Sequence, residues 1–198
     1  DSGIIIEDIV HPSLFVDGAN SEVKIGDTWG LFLFNNQQYG GGIVFWLDPE
    51  RDNGGLIAAP SDQSSGAQWG CNTLEIPEAR ETGIMKGYMN TYYIYNRCND
   101  EGIAAHLCYE LRLQIGAGAA HYDWWLPSKD ELNQMYLNIG HGSSLGNVGG
   151  FSDYDYWSST EISHNRAWIQ DFSSGKFGGE QDVDSKDETY HVRAVRAF

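Results

Sequence analysis

The spacing of apolar positions changes several times along this chain. From Gly40 to Asp48 ("GGGIVFWLD") and from Gly54 to Asp62 ("GGLIAAPSD") they run almost without a break, as in strands covered on both faces. "PERDN" between them has turn chemistry, so a core hairpin is predicted. Over about Met85 to Asn96, and again from Gly102, the spacing becomes helical. In "GIAAHLCYELRL", Ile103, Ala104, Leu107, Cys108 and Leu111 fall on one stripe. "LPSKDELNQMYLNI" predicts a third helix, with Ser128 as N-cap, Glu131 as its capping-box partner, and Leu132, Met135, Tyr136 and Ile139 on one face. A Gly-rich loop from Gly140 to Gly150 follows. The pattern then returns to strands in "YDYWSST", "RAWIQDF" and "YHVRAVRAF". A hairpin, then helices, then strands that close beside the first is an α+β arrangement.

Residues 1–30 read as short strands broken by Pro12 and "DGANS", a lead-in or the end of a preceding module; residues 31–198 form the domain proper. Trp124, Trp125 and Trp157 alternate with small or polar residues, as expected of strand faces that feed a core. Tyr92, Tyr93, Tyr95, Tyr154 and Tyr190 are either further packing or a shallow platform, where a flat ring with a polar tip suits sugar or protein contact.

Composition narrows the class of partner. With 198 residues, 41% of them hydrophobic, and 7 Trp, 11 Tyr and 8 Phe, the chain is a folding one. Twelve basic against 28 acidic side chains give a net charge of -16, which disfavours nucleic acid, anionic membranes and sulfated polysaccharides. No apolar run has the length of a membrane helix, so membrane insertion is not expected. The chain opens at Asp1 without a basic-then-apolar leader, and any export signal is expected to have been removed. Cys71, Cys98 and Cys108 lack CxxC spacing. Bridging Cys98 to Cys108 would fold the chain back over a helix start, which leaves Cys71 with Cys98, or else three reduced core cysteines.

Catalytic signatures are missing. The histidines His11, His106, His121, His141, His164 and His191 form no two-His metal motif, and the chain has no GxSxG elbow, P-loop or GxGxxG turn. In "EQDVDSKDE", Asp182, Asp184, Asp187 and Glu188 offer oxygens that suit calcium, but Lys186 stands where an EF-hand needs a ligand. A solvated acidic loop is the other reading of the same residues, and Asp153 with Asp155 is a second candidate pair.

In order along the chain, "GGIVFWLD", "GLIAAPSDQSSGAQWGC", "GIAAHLC", "DWWLPSKDELNQMYLN", "YWSSTE", "AWIQDFSSG" and "VRAVRAF" resemble the Lcl C-terminal domain family of bacterial surface and phage proteins. The likeness spans Tyr39 to Phe198 and implies a C-type lectin-like fold, with first and last strands paired and a long irregular loop region over a small sheet. It departs from the family at "LFLFNNQQ" (Leu31 to Gln38), inserted material that suits an oligomer contact. Members resemble adhesins and receptor-binding proteins, and the namesake domain is a trimeric end that binds sulfated glycans; Arg166, Lys176 and Lys186 are too sparse for a polysulfate groove.

Relatives that vary their C-terminal part imply a frame made of Trp157, Trp168, Val192 and Val195. Between these stands a displayed set: Ser163, His164, Asn165, Arg166, Gln170, Asp171, Ser173, Lys176, Phe177 and Glu180. The expectation is a noncatalytic module that recognises a cell-surface glycan or protein receptor through residues 160–190. It would work at a bacterial surface or on a phage virion, as a homo-oligomer if display is multivalent. A structural module of a surface fibre is the alternative. A formylglycine-generating type of enzyme ranks below both, because Cys108 is the last cysteine in the chain.

Overall fold

The computed structural model describes residues 24–29, 32–34, 37–39, 41–51, 54–115 and 119–198. Most of the lead-in, and parts of the Leu31–Gln38 insertion, lie outside them. Among the described residues, thirteen strands and three α-helices follow in this order: β1 (Thr28–Trp29), β2 (Phe32–Phe34), β3 (Gln37–Tyr39), β4 (Gly42–Leu47), β5 (Gly55–Ala58), β6 (Ser64–Gln68), α1 (Gly87–Arg97), α2 (Ala104–Tyr109), β7 (Leu113–Ile115), β8 (Ala119–His121), α3 (Lys129–Ile139), β9 (Asp155–Ser163), β10 (Arg166–Asp171), β11 (Gln181–Ser185), β12 (Thr189–Val192) and β13 (Val195–Ala197).

The predicted hairpin forms the centre of a four-stranded antiparallel sheet ordered β1-β4-β5-β13. The last strand does close beside the first hairpin, through Val195↔Ala58 and Ala197↔Leu56. A five-stranded sheet, β11-β10-β9-β12-β6, is antiparallel except where β9 and β12 run parallel. The β stretch "YHVRAVRAF" is split between the two sheets as β12 and β13. β2–β3 and β7–β8 are separate hairpins, the first formed by the insertion together with Tyr39.

Why β5 lacks a polar face is visible in the packing. Ile57 enters one apolar cluster, with Trp69, Ile94, Trp124 and Trp157, while Leu56 and Ala58 enter another, with Phe45, Trp125, Met135 and Phe172. Alternation along the strand therefore divides its side chains between two cores instead of between core and water. β9 does the same, with Trp157 in the first cluster and Tyr156 in the second.

Helix α3 begins as its sequence dictates. Ser128 Oγ accepts from Glu131 N–H, and Glu131 Oε2 accepts from Ser128 N–H at 2.8 Å, so two amides that the helix leaves unpaired are satisfied reciprocally. Its buried face, Leu132, Met135, Tyr136 and Ile139, closes the second cluster. Truncating Leu132 to Ala there removes about 2–5 kcal/mol. The two other predicted helices are α1 and α2, and Cys98 at the end of α1 forms a disulfide with Cys71, leaving Cys108 as a buried free thiol.

Candidate functional site

The polar stretch after "YWSSTE" is not one loop. It is built on β10, with the β9–β10 turn at the Arg166 end and the segment 172–180 at the Asp171 end. Six extended residues separate the two ends by about 16 Å. The displayed set is therefore divided: Ser163, His164, Asn165 and Arg166 lie at one end, and Asp171, Ser173, Lys176, Phe177 and Glu180 at the other.

At the first end, His164 and Arg166 are exposed on a backbone held from several sides. Thr73 N–H donates to His164 O at 3.0 Å, Lys186 N–H donates to Asn165 O at 3.0 Å, and Ser163 Oγ donates to Asn165 Oδ1 at 3.0 Å. Lys186 is not a displayed cation. Its fully buried ammonium donates to Glu161 Oε1 at 2.7 Å and to Leu74 O at 3.0 Å, and burial lowers its pKa. Arg166 and Lys176 are thus the exposed cations of this stretch.

At the second end the chain doubles back tightly. Asp171 Oδ1 accepts from Ser173 N–H at 2.7 Å, Asp171 O accepts from Gly179 N–H at 2.8 Å, and Glu180 N–H donates to Phe177 O at 3.0 Å. Gly179 has φ +88°, and a Cβ there would meet the Tyr136 ring at 2.5 Å, so both conformation and space call for glycine. Phe177 projects from this pinned turn with 59% of its surface exposed, and Lys176 Nζ lies 5.4 Å from its ring centroid.

Gln170 does not belong to the displayed set. It is fully buried, donating to Asn133 Oδ1 at 2.9 Å and Gly179 O at 3.1 Å and accepting from Gln181 Nε2, because α3 covers that face of β10. Trp157, Val192 and Val195 are buried frame, as expected; Trp168 is only half-buried, with Lys129 Nζ 3.9 Å above its ring. The tyrosines make no single platform: Tyr92, Tyr93 and Tyr95 are on α1, Tyr154 stacks on His191, and Tyr190 meets Trp157 edge-on.

The acidic run is half strand. Asp182 and Asp184 sit on β11, on the same side as Asp171 of β10, and Asp184 accepts from the Tyr190 hydroxyl. Asp187 accepts from Ser185 Oγ and, with Glu188, is exposed in the turn that follows. Burial, and then Asp171, Asp184 and Asp182, raise the Asp155 pKa. Asp153 lies 3.2 Å from His141 Nδ1 instead of beside Asp155. Among the described residues the one set of three His, Cys or carboxylate groups at ligand spacing is Cys71, Cys98 and Asp100, whose sulfurs are already joined to each other.

Sequence reading missed two polar networks that hold this frame. Asp62 accepts from Arg193 Nε at 2.6 Å, from the Tyr156 hydroxyl at 2.8 Å and contacts His191 Nδ1 at 3.0 Å, while buried Arg193 also donates to Ala59 O and Gly149 O. Asp123 grips Arg196. The signal was present in "VRAVRAF", where two arginines interrupt an apolar run and each needs a partner on being buried. Among the described residues no helix is long and apolar enough to cross a membrane. No curated protein matches the chain. The family model of the Lcl C-terminal domain matches residues 59–196, from the end of the first hairpin to the last strand, and the chain belongs to that family.

Proposed function

We propose that the protein is a noncatalytic ligand-binding domain, of adhesin or receptor-binding type and C-type lectin-like build, that recognises a glycan or a protein on a cell surface. The observation that carries this reading is Phe177, a large apolar side chain held outward by a turn whose backbone is fixed by Asp171 and by packing on Tyr136. A rigid exposed ring loses little freedom on contact, so its burial by a partner is available for affinity. Lys176 and Glu180 beside it supply polar contacts, and His164 with Arg166 forms a second contact point along β10. The disulfide suits an extracellular, cell-surface or virion setting. A homo-oligomer would multiply weak contacts.

The test is a glycan-array and cell-surface binding screen of the purified protein, with calcium and with chelator. Two variants accompany it, His164→Ala/Arg166→Ala and Lys176→Ala/Phe177→Ala. Binding lost in the second variant supports the Phe177 turn, loss in the first places the contact at the other end, and loss in chelator adds an ion. Binding that survives both variants, or no binding at all, favours a structural module of a surface fibre.

A further inference from the structure

Away from the loops of the five-stranded sheet, a cleft of about 350 Å³ opens against the end of the four-stranded sheet, between α1, the end of α2 and the segment that follows β8. Its walls are aromatic. Tyr88 of α1 and Tyr122 are 42% and 61% exposed, and Tyr109 and Trp124 complete the lining. Large rings gathered in a concavity and left open to water are the usual marks of a small-ligand site.

The polar groups in the same walls are few and fixed. Arg196 holds Asp123 by two bonds, Nε to Oδ1 and Nη2 to Oδ2, both 2.9 Å, and its Nη1 lies 3.3 Å from His121 Nε2. The guanidinium has no acceptor capacity, so His121 Nε2 accepts and the imidazole is neutral, in keeping with burial and the Arg196 charge lowering its pKa. The Asp123 side chain remains 53% exposed, with lone pairs free for a further donor.

Trp124 lies in the same wall and offers a spectroscopic probe of it. Its side chain is fully enclosed, and its indole Nε1–H has no acceptor. Among the described residues, the other three fully or nearly fully buried tryptophans all donate: Trp69 to Ser158 O, Trp125 to Glu131 Oε2 and Trp157 to Ala67 O. The Trp124 N–H is enclosed and makes no competing bond, so its resonance reports what packs against the cleft wall.

We infer that this cleft binds a neutral saccharide, whose pyranose face packs on the exposed tyrosine rings and whose hydroxyls donate to the Asp123 carboxylate. Charge favours a neutral ligand, because Arg196 and Asp123 already neutralise each other. The inference is independent of the Phe177 turn.

The experiment titrates the whole ¹⁵N-labelled protein with maltotriose, triacetylchitotriose and N-acetyllactosamine, each to millimolar concentration, with a sulfated heparin tetrasaccharide as control. The assigned Trp124 indole N–H resonance is the readout. The expected result is a saturable shift of that resonance with at least one neutral saccharide. Binding should be about tenfold weaker in Tyr122→Ala, whose exposed side chain leaves folding intact, and unchanged in Phe177→Ala. No shift with any neutral saccharide overturns the inference. So does a shift that Tyr122→Ala and Tyr88→Ala leave untouched, or one produced by the sulfated control alone.

Discussion

Lys186 Nζ lies 2.7 Å from Glu161 Oε1, with both side chains fully enclosed. The pair ties the turn after β11 to β9, and Glu161 also accepts from Ile76 N–H at 2.8 Å and Arg80 Nε at 3.2 Å. Lys186 further lies over Trp69, 4.3 Å from the ring centroid. The His164 end of the candidate surface therefore rests on a buried charge network. Lys186→Met leaves Glu161 with Arg80 as its remaining cation and should destabilise the fold by about 3 kcal/mol, the lower end for a broken buried pair. Adding Glu161→Gln should recover part of that loss in urea unfolding. A double variant as unstable as the sum of the single ones would show that the pair does not act as a unit.

Glu131 gives the stability a pH dependence of unusual sign for a carboxylate. Burial pushes its pKa up from 4.5 to about 7, against the opposing bonds from Ser128 N–H and Trp125 Nε1–H. Gly87 is close enough that a Cβ there would meet Glu131 Oε2 at 2.3 Å, so the carboxylate is tightly packed. With the folded pKa above the unfolded one, the group's contribution is complete below about pH 4.5 and is lost as pH rises through about 7. The difference is about 3 kcal/mol at high pH. Wild type should lose stability relative to Glu131→Gln between pH 5 and 8 in urea titrations, and parallel curves for the two proteins would refute the assignment.

The disulfide closes the segment between β6 and the end of α1. Cys71 and Cys98 are 27 positions apart, with Cα atoms 5.6 Å from each other. A loop of that length lowers the entropy of the unfolded chain enough to stabilise by about 3.5 kcal/mol. Cys71→Ser/Cys98→Ser should lower the melting temperature to match, and reductant should do the same to wild type. Burial raises the Cys108 pKa well above its usual value, so in the unreduced native protein a maleimide should label no thiol. Rapid labelling at native pH would contradict the buried state of Cys108.

Much of this architecture was legible because local signals agreed with the packing. Ser128 and Glu131 announced α3 by reciprocal capping, and the unbroken apolarity of "GLIA" announced a strand of the core hairpin. Less legible was anything decided by cover from a distant element. Gln170 reads as a polar surface residue until Asn133 of α3 and Gly179 are seen around its amide. Lys186 reads as an exposed cation, although Glu161, far away in sequence, holds it inside. Asp182 and Asp184 read as a loop, because β11 takes its strand form from pairing with β10 instead of from propensity.

That division between covered and displayed residues sets the last prediction. Replacing Gln170 with Ala removes the bonds to Asn133 Oδ1 and Gly179 O and the longer of the two bonds from Gln181 Nε2, which keeps Lys129 O, and it leaves Gly179 O facing an apolar methyl. The loss should be about 1–3 kcal/mol, and because Gly179 anchors the turn that carries Phe177, any binding at that turn should weaken with it. His164, Arg166, Lys176, Phe177 and Glu180 are exposed, and each changed singly to Ala should shift stability by no more than about 0.5 kcal/mol. Urea unfolding of the six single variants, beside the binding screen, separates the two kinds of position. A Gln170→Ala protein as stable as wild type would mean that its amide is solvated after all and belongs with the displayed set. A large loss at Phe177→Ala would mean that the ring supports the turn instead of being offered by it.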